Sequence, residues 1–125
     1  YAQCEGIIRR NGKSAEFAAK FALNCLQYQK VNIENEKNLL FFTYEDLCEN
    51  KSQVVNKIIS FMPDLKDVKS EKKFKAHNFK TNDKMEITNL NHEKIAKLTT
   101  EQLNEINCHF KEEEELLKYF NYTII

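Results

Sequence analysis

Two glycines and one proline in 125 residues leave this chain almost without the punctuation that an all-β sandwich or barrel spends on its many tight turns. A predominantly helical chain is therefore expected. The longest unbroken apolar stretch, Leu39 to Phe42, is far shorter than the roughly 20 residues a membrane-crossing helix requires. No membrane span is expected. Lysine plus arginine total 19 and aspartate plus glutamate total 19, for a formal charge of +0, so no global field recruits nucleic acid or anionic lipid. Nucleic acid is thereby set aside as a main partner.

Cys4, Cys25, Cys48 and Cys108 are too scattered for the close pairs with which thiolates reach one zinc ion. Metal binding is not expected. Cys25 and Cys48 fall within apolar patterns, where a free thiol acts as a small hydrophobe. Reduced cysteines and a cytoplasmic location follow as expectations, and the two sequons at Asn50 and Asn121 are what a chain rich in Asn produces by chance. Tyr1 is preceded by neither an initiator Met nor a charged leader, which is expected to reflect a cut in a longer chain.

Gly6 to Ser14, with its two glycines and the paired Arg9 and Arg10, reads as a loop that feeds a helix N-capped by Ser14. That helix is predicted over about Ala15 to Lys30. Phe17, Phe21 and Cys25 recur every fourth residue, with Ala18, Ala22 and Leu26 one position along, giving a broad apolar face. After a polar loop over Asn32 to Asn38, the run over 39–43 is apolar on both faces of a pleat and reads as a buried strand of a parallel sheet. Asn50 and Gln53 have the spacing of a capping box before a helix that Pro63 stops. Residues 64–84 are rich in lysine, with isolated rings at Phe74 and Phe79, and read as an irregular excursion. Thr99 and Gln102 repeat the capping-box spacing ahead of a helix faced by Leu103, Ile106, Asn107 and Phe110. A short helix near Glu93 to Leu98 precedes it, and a last one carrying Leu116, Leu117, Tyr119 and Phe120 follows a slip at Lys111. The expected fold class is α/β, with one clear strand over about 39–43, four to five helices, and sheet neighbours before Tyr1 or in a second copy paired through the strand. Phe17, Phe21, Phe41, Phe42 and Phe61 are expected in the core.

An apolar run entering Tyr44-Glu45-Asp46-Leu47, followed by an amphipathic helix ending near Phe61, resembles the late part of the sulfotransferases that use PAPS (3′-phosphoadenosine 5′-phosphosulfate). The similarity continues through Phe74 to His77, Ile87 to Asn91 and Lys94 to Thr99. It ends at Leu116-Leu117-Lys118-Tyr119-Phe120-Asn121-Tyr122, which looks like that family's terminal Leu-Leu-x-x-Phe-Gly-Tyr with Asn121 at the glycine. Asn is the commonest non-glycine occupant of the left-handed conformation at a helix end. The resemblance implies a single domain over 1–125 or the C-terminal part of a larger sulfotransferase domain, with a P-loop-like parallel sheet. PAPS would be the co-substrate, and a small-molecule or glycan acceptor would receive the sulfonate on a hydroxyl or amine.

The phosphosulfate loop of that family has no counterpart here, and its arginine and serine for the 3′-phosphate would precede Tyr1. Lys80 lies in the region of its Arg-Lys-Gly element without the surrounding residues. Arg9 and Arg10 are the other candidates for holding the nucleotide, because guanidinium forks match oxyanions, set against two arginines solvated in a loop. No catalytic residue is assigned. Glu45 and Asp46 are expected to cap a helix, His77, His92 and His109 to be structural, and Glu112 to Glu115 to form the solvated start of the last helix. The 125 residues alone are expected to be inactive in sulfonate transfer. The alternative is a non-enzymatic helical interaction or ligand-binding module.

Overall fold

The computed structural model describes residues 1–65, 68 and 86–125. Lys80, His77, Phe74 and Phe79 lie outside the described residues, as does most of the lysine-rich excursion. The described chain divides into two compact units, one of Tyr1–Lys37 with Leu90–Ile125 and one of Asn38–Asn89.

The first unit contains α1 (Ala2–Asn11), α2 (Ala15–Asn35), α5 (Asn91–Ile95), α6 (Thr100–Glu112) and α7 (Glu114–Tyr119). The expected loop over Gly6 to Ser14 is instead mostly helix. Past its last turn Gly12 stands at φ 62°, and its N–H closes on the Ile8 carbonyl at 2.9 Å. A glycine just past the last turn is a helix stop because it adopts the left-handed conformation without steric cost. Ser14 then caps α2 as its sequence position predicts, its hydroxyl accepting from the Phe17 N–H at 3.1 Å. α2 runs on to Asn35, taking in part of the expected loop.

Ala18, Ala19, Ala22 and Leu23 of α2 meet Cys4 of α1, Ile106 and Phe110 of α6, Leu116 and Leu117 of α7, and the flanking Leu98 and Phe120 in one buried cluster. The phenylalanines of α2 do not join it: Phe17 is 45% and Phe21 46% exposed. Small residues let helix axes approach closely, and the interaxial distance depends on the side chains at the contact. The alanine edge of the broad apolar face is thus the one that packs, and the two rings stack on each other outside it, with centroids 6.2 Å apart.

The second unit contains α3 (Tyr44–Glu49) and α4 (Lys51–Phe61). No strand or sheet is present among the described residues, so the α/β class, the parallel sheet and the strand over 39–43 are corrected to a helical arrangement. A strand exists only when a neighbour takes its backbone bonds, and no ladder partner runs beside 39–43 among the described residues. The run instead leads into a capping box at Thr43, whose hydroxyl accepts from the Asp46 N–H at 3.0 Å while the Asp46 carboxylate accepts from the Thr43 N–H at 3.2 Å. Tyr44 Oη also donates to the Thr88 carbonyl at 2.8 Å, and Asn89 Nδ2 to Glu49 Oε1 at 2.9 Å. Phe41 and Phe61 are exposed, Phe42 is half-buried, and among the described residues of this unit only Val54 is fully buried.

Candidate functional site

Arg9 and Arg10 occupy the last turn of α1, where the negative pole of the helix favours cations. Arg9 Nε donates to Glu5 Oε1 at 2.7 Å, one turn back along the same helix, and Arg10 Nε donates to the Gly6 carbonyl at 3.2 Å. Neighbours on a helix diverge by about 100°. The two guanidinium groups therefore take separate partners and do not converge on one oxyanion. Lys80, the third candidate, lies outside the described residues.

Glu5 is the unexpected member of this group. It is only 3% exposed, and its Oε2 has no hydrogen-bond partner among the described residues. Next to it, Cys4 is fully buried, and desolvation pushes its thiol above the usual range. At the start of α1 the Tyr1 ring meets Phe110 of α6 edge to face, at a centroid distance of 5.0 Å. Its hydroxyl donates to Asn107 Oδ1 and accepts from the Ile125 N–H at 3.1 Å, while Asn107 Nδ2 donates to the Ile125 carbonyl at 2.7 Å. Burial raises the Tyr1 phenol above its ordinary value, and the bond from Ile125 works against that rise. One asparagine thus joins α1, α6 and the end of the chain. Asn107 was visible in the sequence as a polar residue in the stripe Leu103, Ile106, Phe110. Glu5 had only its spacing to Arg9 to signal it, since nothing local marks it as buried.

A second polar group lies on α6, where His109 is half-buried. His109 Nε2 is 3.4 Å from Glu105 Oε1 and Nδ1 is 3.7 Å from Glu112 Oε2. On α2, Lys20 donates to Glu16 Oε1 at 2.6 Å, which lowers the Glu16 carboxyl and raises the Lys20 ammonium relative to their usual ranges. His109 thus lies near two carboxylates of its own helix, with Nε2 buried and lacking a hydrogen-bond partner among the described residues, while His92 lies in α5. Among the described residues no three His, Cys, Asp or Glu side chains are placed to hold a metal ion. All four cysteines are free thiols.

Asp46 is bound within its capping box, and the Thr43 backbone and hydroxyl hold its carboxyl below the usual range. Glu45 shares the same first turn. Glu112 ends α6 and Glu113 joins it to α7. Glu114 and Glu115 follow, with Lys118 Nζ at 3.1 and 3.0 Å from their carboxylates. The acidic run is therefore a helix junction with its own counter-ion.

The end of α7 supplies the most specific geometry. Asn121 stands at φ 58°, the one non-glycine residue with positive φ among those described. Its N–H donates to the Lys118 carbonyl at 2.9 Å and the Tyr122 N–H reaches back to the Leu117 carbonyl at 2.9 Å. These two bonds form a Schellman motif. Leu116, Leu117 and Phe120 turn inward to the core, and Phe120 and Tyr122 stack with centroids 6.5 Å apart.

No protein-family model matches the chain, and neither a curated protein nor a solved structure matches it.

Proposed function

We propose that this chain is a scaffold portion of a PAPS-dependent sulfotransferase, helping to position an enzyme that moves a sulfonate from PAPS to an acceptor hydroxyl or amine. The observation that carries the proposal is Asn121. The resemblance places a glycine of the terminal Leu-Leu-x-x-Phe-Gly-Tyr at this position, and a glycine there is needed only if the backbone is left-handed. Asn121 has that backbone, at φ 58°, with Leu116, Leu117 and Phe120 of the same motif buried. The capped start of α3 at Tyr44-Glu45-Asp46-Leu47 adds a second, weaker support. A parallel sheet is no part of the proposal.

No residue of the chain is assigned to the transfer chemistry. Arg9 and Arg10 are bonded within α1, so in this proposal they serve the scaffold, and Lys80 is the remaining nucleotide contact. Catalysis then requires a polypeptide that also carries a phosphosulfate loop. Calorimetry with 3′,5′-ADP tests this on the 125-residue chain and on the longest natural polypeptide that contains it. Weak or no binding by the former and tight binding by the latter is expected. Absence of binding by both removes the functional support. Tight binding by the short chain alone would reveal a complete phosphate site in it and overturn the scaffold role.

The exposed, mutually stacked Phe17 and Phe21 favour a second role, that of a helical interaction module. Light scattering on the purified chain addresses it: association that Phe17→Ser with Phe21→Ser abolishes is the expected signature, and a monomer unchanged by the double substitution counts against it.

A further inference from the structure

We propose that α2 pairs antiparallel with α2 of a second copy of this chain, through the face it turns away from its own core; this rests on the interaction-module reading above and names its partner. Phe17, Phe21, Asn24, Tyr28, Val31 and Asn35 follow one another at alternating steps of four and three, the spacing by which one helix lies along another. At about 100° per residue this stripe stands opposite the buried Ala18, Ala19, Ala22 and Leu23. α2 therefore has two packing faces, and the core covers one. All six residues of the other are exposed, Tyr28 to 73% and Val31 to 43%, along a helix of 21 residues or about 30 Å.

The stripe is its own complement. A two-fold axis level with Leu26, near the middle of α2, sets Phe21 against Val31 of the second copy, Asn24 against Tyr28 and Phe17 against Asn35, each contact being made twice. Phe21 then meets an aliphatic residue and the Tyr28 hydroxyl meets an amide, and an asparagine within a largely apolar seam fixes its register. Charge selects the direction. Along one edge of the stripe Lys20, Gln27 and Glu34 recur every seventh residue, and the same axis sets Lys20 beside Glu34 of the second copy at both ends, with the two Gln27 side chains between. The Lys20 and Glu34 side chains are exposed. In a parallel pair this edge would face the opposite one, where Ala18 is buried and Cys25 half-buried, and would find no counter-charge. Lys20 bonds Glu16 within one copy, but an exposed pair of that kind contributes little and can exchange.

Sedimentation equilibrium of the purified 125-residue chain tests the pairing, and a reversible dimer is expected. Phe21→Ser should weaken it at least about thirtyfold, with helical circular dichroism unchanged because Phe21 lies outside the core. Lys20→Glu and Glu34→Lys should each weaken it about tenfold, through repulsion at two symmetric pairs, and together should restore it to within about threefold. A dimer that Phe21→Ser leaves intact overturns the α2 face. One that Phe21→Ser breaks but the double charge exchange does not rescue overturns the antiparallel sense while the interaction-module reading stands. A chain monomeric at every concentration overturns both, leaving the stripe to a different polypeptide.

Discussion

Two stretches of this molecule have similar apolar content and opposite fates. In the first unit α2, α6 and α7 close over one another, and Cys4, Ala18, Ala19, Ile106, Phe110, Leu116 and Leu117 share a core. In the second, Leu39, Phe41, Phe61 and Met62 stay exposed and Val54 alone among the described residues is fully buried. The difference lies in length and shape. A helix of 21 residues with an alanine edge lets its neighbours approach closely along several turns. α3, of six residues, and α4, of 11, offer shorter surfaces, and Val54 is the one side chain fully buried among the described residues of that unit. Apolar residues become a core only where enough surfaces converge to exclude water from every side.

The largest effect that would sharpen this contrast is expected from Ile106→Ala. Ile106 is fully buried where α2 and α6 meet, and the substitution should cost about 2–5 kcal/mol in urea unfolding. A loss below about 1 kcal/mol would mean that the first unit is no better packed than the second. Val54→Ala should cost less, about 1–2 kcal/mol for the two carbons removed and the space left behind. Hydrogen exchange in α4 is where that loss should register. If Val54→Ala proves as costly as Ile106→Ala, the contrast between the units fails.

Helix starts offer a smaller comparison, because both units contain a capping box. Thr99→Ala and Thr43→Ala should each cost about 1 kcal/mol, and equal losses by chemical denaturation would show that local capping is independent of core size. Acid separates them further. The Asp46 carboxyl is held low by its bonds to Thr43, so its stabilising contribution to α3 is present above the unfolded aspartate pKa, near 4, and is lost as pH falls through the lower folded value. Gln102, the partner in the Thr99 box, does not titrate. Acid fraying of α3 amides that Asp46→Asn eliminates, with the start of α6 unaffected, is the expected outcome by NMR. Unchanged α3 amides down to pH 2 would contradict it.

The smallest effect belongs to the end of α7. Asn121→Gly should change stability by no more than about 0.5 kcal/mol, whereas Asn121→Val should cost about 1–2 kcal/mol because a branched side chain resists positive φ. Thermal melts of the two variants check this. Equal Tm values would show that the left-handed backbone places no demand on the residue there.

Signals confined to one helical turn were legible in advance. Ser14, the Thr99 and Gln102 pair, the stop at Pro63 and the slip near Lys111 each depend on groups within five residues. Asn50 shows where such reasoning breaks down. It has capping-box spacing to Gln53, yet its N–H closes α3 on the Asp46 carbonyl at 2.8 Å, and its backbone at φ −124°, ψ 41° holds no side-chain cap. The preceding helix had already claimed the residue. Gly6 and Gly12 show the same limit from the other side. Both mark turns by composition, but only Gly12 leaves the helix, while Gly6 stays helical and buried, with the Arg10 guanidinium one turn on lying against it.

By itself the amino-acid sequence determined the existence of α2, α4 and α6, the caps at Ser14 and Thr99 and the stop before Pro63. Those properties follow from the steric and hydrogen-bonding preferences of consecutive residues. Tertiary structure alone decided that α2 packs by its alanines and exposes its phenylalanines, that Glu5 is buried, and that Asn107 links α1 to the end of the chain. It also decided that 39–43 forms no strand among the described residues, since strand pairing and burial depend on which distant surfaces meet.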